Sequence, residues 1–296
     1  MSIQKISYQM FKFGRSSANA IGLAGPLRTL VGPAVGKLLF KLSGKSGSEV
    51  IVEGHKMVLA TKGKYPPIKM AMGEYEIETT ELFREHIKSG MSVLDIGAHV
   101  GYYTLLAAKL AGAEGRVFSF EPDLDNYGLL RRNIESNGYA NITTVNQAVS
   151  DSSGTRTLFI SRLDNGRHSI YHQSHSESES IAVPATTIDD YFKALDWPQL
   201  HFIKMDVEGS ELDVLNGMTG LLDRFPTIKM IIELNPSLLR NASVSPLKLL
   251  EKMSGQGFIF HRVEAHTNPQ EHSVAELVAL SQILASSGDS INVFCT

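Results

Sequence analysis

Between Ser92 and Glu233 the chain alternates strand-like and helix-like runs. The strand-like runs are Ser92–Ile96, Arg116–Phe120, Ile142–Val145, His201–Met205 and Lys229–Glu233. Helix-like runs lie among them at Tyr102–Leu110, Leu124–Ser136 and Glu211–Leu222. Such alternation forces an α/β design, a doubly wound parallel sheet with helices on both faces. Gly138 follows the second helix-like run, where a C-terminal cap belongs. Beyond this core the pattern predicts a helix over Pro246–Ser254, a strand over Phe258–Val263, a helix over Val274–Ala285 and a last strand, Ile291–Cys295. Residues 150–186 hold two strand-like pieces, Thr155–Ser161 and Ile181–Val183, around a polar loop. That loop is too long for a plain connection and points to function or disorder.

Charge divides the chain further. The net charge is -3, but residues 1–48 carry seven Lys or Arg and no acid, leaving -10 for the remainder. Gly22, Gly25, Pro26, Gly32, Pro33 and Gly36 keep any helix in this basic segment short. A position on an anionic membrane surface is one expectation for it, and a solvated arm is the other. From Glu49, Val50 and Val52 face Met57 and Leu59 across Glu53-Gly54-His55-Lys56, which reads as a small hairpin. Thr79 or Thr80 is then expected to cap a helix through Leu82, Phe83 and Ile87 to Gly90. The division expected is a basic segment (1–48), a small β element (49–77) and one catalytic domain (78–296).

Composition removes several classes. A single cysteine, Cys295, leaves no intrachain disulfide and no Cys-based zinc site. No long apolar run marks a spanning helix. The balance of charge gives no general nucleic-acid signature, so no nucleic-acid partner is expected. A cytoplasmic location, with membrane association through the basic segment, is expected.

The first strand-like run leads into Asp95-Ile96-Gly97-Ala98-His99-Val100-Gly101-Tyr102. Open α/β sheets bind ligands at such a strand–turn–helix junction. Gly97 permits the tight turn, and Gly101 is expected to allow close approach of helix and ligand. A dinucleotide fingerprint needs glycine where His99 and Tyr102 stand, and a P-loop needs Gly-Lys-Ser/Thr, which is missing. The spacing Asp-x-Gly-x-x-x-Gly instead suits a cationic ligand paired with Asp95. Glu121 ends the next strand in Phe120-Glu121-Pro122, where a carboxylate accepts from both hydroxyls of a ribose. An amino-acid-bearing nucleoside without phosphates is S-adenosylmethionine.

These residues, with Thr187-Ile188-Asp189, the run Lys204-Met205-Asp206-Val207-Glu208-Gly209-Ser210-Glu211 and Ile231-Ile232-Glu233, resemble the FkbM-type methyltransferases of the class I S-adenosylmethionine-dependent fold. The resemblance covers roughly residues 70–296. It implies a seven-stranded sheet with the last strand, Ile291–Cys295, antiparallel, and methyl transfer, most often to a hydroxyl oxygen. His99 stands where the family commonly has Asn. Gly73-Glu74-Tyr75-Glu76 resembles a family segment near the donor, so Tyr75 or Glu76 is a candidate contact. The cofactor-binding set expected is Asp95, Gly97, His99, Gly101, Tyr102, Glu121, Pro122, Asn146, Ala148 and Asp206, with Ser150 and Asp151 beside the adenine.

A hydroxyl acceptor needs a base or a metal to lower the cost of losing its proton. Lys204, Asp206, Glu208 and Glu233 are the catalytic candidates at the ends of the fourth and fifth strands. Glu211 either joins them or complements a helix dipole. Asp206, Glu233 and Asn235 are expected to offer oxygen ligands to Mg²⁺. His168, His172 and His175 lie in the polar loop, better read as a lid than as metal ligands. The stretch Asn165-Gly166-Arg167-His168-Ser169 resembles a substrate-side loop of the family. His261, His266 and His272 read as surface residues, and Asn141-Ile142-Thr143 matches a glycosylation sequon. The expected acceptor is a sugar, glycolipid or natural-product hydroxyl. A noncatalytic nucleoside-binding or scaffold protein on the same fold is the alternative.

Overall fold

The structure is a computed structural model and describes residues 49–59, 70, 73–161, 168–172, 179–263 and 270–296. The basic segment 1–48, His175 and His266 lie outside the described residues, as do Asn165, Gly166 and Arg167.

A parallel sheet buried on both faces needs continuous apolar strands. Strand β3 (Ser92–Ile96) is buried at all five positions. It pairs in parallel with β4 (Arg116–Phe120), which pairs with β5 (Ile142–Val145). On its other side β3 pairs with β9 (Phe202–Met205), and β9 with β10 (Lys229–Leu234). The chain order therefore reverses direction at β3, the switch point where ligands bind in open sheets. Strand β13 (Ile291–Cys295) runs antiparallel to β10, as expected for the last strand. Strand β11 (Phe260–Arg262) pairs with β13.

Four features differ from the sequence reading. An eighth strand, β12 (Gln270–His272), extends the seven at the β11 edge. The two strand-like pieces of region 150–186 are strands, β7 (Gly154–Ile160) and β8 (Glu179–Thr186), but they join β6 (Ala148–Val149) in a separate three-stranded sheet. Helix α1 (Ile77–His86) starts after Glu76, so Thr79 and Thr80 are buried inside it rather than capping it. The run 211–222 is two helices, α5 (Glu211–Asn216) and α6 (Thr219–Arg224). A side chain from elsewhere explains that break: Asp189 accepts the Gly220 and Leu221 amides, each at 2.8 Å, and starts a new helix.

Helix α2 (Tyr102–Ala111) buries eight of its ten residues, because it lies between the sheet and its neighbours. Helix α3 (Leu124–Asn137) is capped by Asp123 and ends at Gly138, as the sequence predicts. The hairpin of β1 (Glu49–Val52) and β2 (His55–Val58) docks on α3 through backbone-to-asparagine bonds at Asn133 and Asn137. Helices α4 (Ile188–Ala194), α7 (Pro236–Asn241), α8 (Pro246–Gly255) and α9 (Val274–Ser287) complete the layers. Among the described residues no helix is long and apolar enough to cross a membrane.

Candidate active site

An open cleft lies at the carboxyl ends of β3, β4 and β9. Glu121, at the end of β4, is 5% exposed. Its Oε2 accepts the His99 amide at 2.8 Å and its Oε1 accepts the Asp123 amide at 2.9 Å. Both donors are backbone groups, so the path of the chain largely places this carboxylate, and the Asn126 side chain adds a hydrogen bond. Burial raises its pKa to about 8, against the downward pull of the two amides. Asn146 stands outside the lining; its side-chain amide donates to the carbonyls of Glu121 and Pro122 and staples the turn. Pro122, Ala148 and Gln147 line the cleft, with Phe120, Val149 and Leu158 as an apolar wall.

The glycine loop divides into two functions. At Gly97 (φ +84°) a Cβ would lie 1.8 Å from the Asp206 carbonyl oxygen, so only glycine lets the turn pass the end of β9. At Gly101 (φ +94°) a Cβ would meet Leu130 Cδ1 at 2.7 Å. Gly101 thus serves the packing of α2 on α3, not approach to a ligand. His99 lines the cleft in a left-handed conformation, φ +50°. Backbone strain of this kind collects at functional sites.

Asp95 and Tyr102 also differ from expectation, since neither lines the cleft. Asp95 is 2% exposed and accepts from the Thr104 hydroxyl at 2.5 Å. Burial raises it to about 6, while Thr104 and Lys204 pull it down. Its acid end is turned to holding α2 on β3. The Tyr102 hydroxyl pairs with Thr80 Oγ1 at 3.0 Å, and its ring packs edge-on against Tyr75. Burial pushes this phenol up to about 12.

The other end of the cleft is made of side chains acting on one another. Asp206 and Glu208 line it just past β9. Lys204 is 1% exposed, with Nζ 3.2 Å from Asp206 Oδ2 and 5.5 Å from the centre of the Tyr103 ring. Burial alone would lower its pKa, but Asp206, Glu76 and Glu233 outweigh burial and raise it. Glu233 accepts from Ser290 Oγ at 2.5 Å. Burial and Asp206 raise Glu233 to about 8, against Ser290 and Lys204. Carboxylate oxygens of Asp206, Glu208 and Glu233 lie within 4.8 Å of one another. Asn235, the third expected ligand, caps α7 with its side-chain oxygen at the Leu238 amide, 3.3 Å away, while Glu208 joins Asp206 and Glu233. Glu211 is 2% exposed, braces the turn at the Gly209 amide (3.2 Å), and is raised to about 7 by burial.

Glu76 and Tyr75 come from the segment singled out by resemblance, and other contributors carry no motif in the sequence. Glu76, at φ +38°, accepts from the Tyr103 hydroxyl (2.8 Å) and the Asn292 amide (2.9 Å) and so reaches the group around Lys204. Tyr75 packs on Tyr102 and Tyr103. Asn126, Ile170 and Ser210 line the cleft without a pattern that singles them out. Of the loop histidines, His168 lines the cleft and His172 packs edge-on against Phe159. Ser150 and Asp151 bind Arg156 away from the lining. Thr187 caps α4 and Asp189 caps α6, so this motif is structural. His261 meets Thr296 and His272 meets the Gln270 carbonyl. The side-chain amide of Asn141 donates to the carbonyls of Ala108 and Gly112, which ties the sequon to the end of α2.

Residues 95–260, more than half of the chain, match the methyltransferase FkbM domain. The chain belongs to the FkbM methyltransferase family. Glu76, Ser290 and Asn292 lie outside the FkbM-matched span, yet Ser290 bonds to Glu233 and Glu76 to Tyr103 inside it, while Asn292 holds Glu76. This FkbM chain is 27% identical over 148 residues to the hexuronic acid methyltransferase AglP of Haloferax volcanii, covering 50% of this chain and 58% of that protein. It is 41% identical over 59 residues to a protein-L-isoaspartate O-methyltransferase of Methanococcoides burtonii, covering 20% of this chain and 29% of that protein. The chain thus spans little more than half the length of the first relative and under a third of the second. The crystal structure of methyltransferase FkbM from Methylobacillus flagellatus aligns with a TM-score of 0.39 at 16% identity, covering 73% of this chain and 50% of that one.

Proposed function

We propose that the protein transfers a methyl group from S-adenosylmethionine to a hydroxyl oxygen of a sugar-class acceptor. The observation that carries this reading is the pairing, in one cleft, of an amide-anchored Glu121 with Asp206 and Glu208. AglP, by its name a hexuronic acid methyltransferase, supports a sugar acceptor.

The residues fit the donor. The buried Glu121 accepts ribose hydroxyls without reorganising, since backbone amides already hold it. Phe120, Ala148, Val149 and Leu158 give a purine an apolar wall. The bound donor supplies an electrophilic methyl group, so alignment of the acceptor is the main requirement. Asp206 takes the acceptor proton, with Lys204 as its countercharge. Glu233, raised to about 8, keeps its proton at neutral pH and donates a hydrogen bond to a neighbouring acceptor oxygen. Glu208 accepts from a second hydroxyl.

Calorimetry with S-adenosylmethionine, followed by labelled methyl transfer to neutral hexosides, amino sugars and uronides, tests the reading. No binding at millimolar donor sinks it. Binding without transfer to any acceptor leaves the noncatalytic alternative.

A second reading adds a divalent cation. Asp206, Glu208 and Glu233 offer an all-oxygen donor set of the kind Mg²⁺ takes. Full methyl transfer after exhaustive EDTA treatment removes this reading. Liposome co-sedimentation of the full chain and of a chain starting at Ser48 tests membrane contact by the basic segment.

A further inference from the structure

Glu208 occupies a left-handed backbone conformation, φ +51°, that few side-chain-bearing residues adopt. Its neighbour Gly209 is also left-handed, φ +103°, so two such residues in succession turn the chain from β9 into α5. A turn of this kind persists only where surrounding groups hold it. Within this turn Ser210 supports the Val207 carbonyl and Glu211 supports the Gly209 amide. The Glu208 carbonyl is held from another part of the chain. It accepts from the Ser169 hydroxyl at 2.7 Å.

Ser169 is itself fixed. It is 2% exposed, and its backbone exchanges both hydrogen bonds with Phe159, at 2.8 and 3.2 Å. Its Oγ also accepts the Tyr171 amide at 3.1 Å. Tyr171 in turn donates its hydroxyl to Asp213 in α5 at 2.5 Å. Residues 168–172 therefore form a strap from the β7 edge to both sides of the turn that presents Glu208. At the near end of this strap His168 lines the same cleft as Glu208. The Ser161 amide donates to His168 Nδ1 at 3.1 Å, so the neutral ring carries its proton on Nε2. An imidazole and a carboxylate then stand on one strap-and-turn unit at the cleft, a pairing suited to the adjacent hydroxyls of a sugar ring.

We propose that Ser169 is a positioning residue for acceptor recognition: by holding the Glu208 carbonyl it sets the carboxylate that, with His168, reads neighbouring hydroxyls of a sugar acceptor. This deepens the methyltransferase reading and rests on it.

The full chain is assayed with labelled S-adenosylmethionine and the neutral hexoside that the wild type methylates fastest. Ser169→Ala is expected to raise the acceptor KM roughly tenfold, the loss expected for one buried hydrogen bond. Donor affinity by calorimetry stays within about twofold of wild type. Ser169→Thr, which keeps the hydroxyl, restores the acceptor KM to within about threefold. His168→Ala raises the acceptor KM and leaves donor affinity in place. An unchanged acceptor KM in Ser169→Ala overturns the proposal. So does an equal loss of donor affinity, or an alanine variant that no longer folds, since each makes Ser169 a purely structural residue. A wild type that binds no donor sinks the methyltransferase reading instead, and that result is visible before any variant is made.

Discussion

Glu121 and Glu233 are glutamates at the ends of sheet strands, and burial raises both to about 8. What holds them differs. Glu121 is held chiefly by two backbone amides, Asp123 of its own turn and His99 of the turn after β3, with the Asn126 side chain beside them. Glu233 is held by a serine hydroxyl on the loop before β13 and by the charges of Asp206 and Lys204. The end of the cleft proposed to take the donor is thus set largely by backbone path, and the end proposed to take the acceptor by side chains answering one another. A backbone-set carboxylate suits a ligand that never changes. A side-chain-set cluster can be retuned by single substitutions, which suits the part that must distinguish acceptors.

The strongest way to break this comparison is Asp206→Asn. Methyl transfer should fall about a hundredfold or more, the range for loss of a general base. Donor affinity should move less than about threefold, by calorimetry. A comparable loss of donor affinity would merge the two ends into one.

Lys204→Met addresses what the acceptor end rests on. It leaves Asp206 and Glu76 without their buried countercharge, so urea unfolding should show a loss of about 3–5 kcal/mol. A neutral result would mean that the carboxylates need no cation.

Glu121→Gln sharpens the donor side. Charge-assisted hydrogen bonds to ribose predict donor binding about ten- to a hundredfold weaker. The pH dependence has a definite sign. Ribose hydroxyls favour the ionised carboxylate, so binding below the raised pKa of about 8 releases a proton. Wild-type donor affinity should rise with pH towards 8 and level off above it, and Glu121→Gln should flatten that rise. The donor-free protein behaves oppositely. Glu121 and Glu233 bind their protons more tightly folded than unfolded, so their contribution to stability declines as pH climbs from 4.5 towards about 8.

The smallest effect expected is at Asp95. Asp95→Asn disturbs the Thr104 bond and should cost about 1–2 kcal/mol in thermal or urea unfolding. Donor affinity should stay within about threefold. A tenfold loss would return Asp95 to the binding site.

Much of the fold is legible in the sequence because the signals are local. Apolar strand runs, the β3 glycine turn, the Asp123 and Gly138 caps, and the Pro246 start of α8 each carry their own cue. Failures arise where a distant group decides. The break between α5 and α6 is made by Asp189, thirty-one residues before Gly220. Helix α1 starts at Ile77 because Glu76 takes a left-handed turn while Tyr103 and Asn292 hold its carboxylate. The three-stranded sheet of β6, β7 and β8 needs pairing across a loop whose sequence is polar and aperiodic.

The same division holds for the candidate site. Residue type and spacing alone determined that acids stand at the ends of β3, β4, β9 and β10, and that Gly97 turns between strand and helix. They also determined the split between a basic leading segment and an acidic remainder. Only tertiary structure decided which of those acids meet the cleft. Asp95 faces Thr104 outside the cleft lining, Asn235 caps a helix, and the Glu208 carboxylate lies beside those of Asp206 and Glu233. It also gave partners to Glu76 and Ser169, which the sequence marks only by resemblance: Tyr103 and Asn292 for the first, the Glu208 carbonyl for the second. A motif records which side chains the backbone carries, whereas the direction each one faces is set by the hydrogen bonds and burial that distant residues supply.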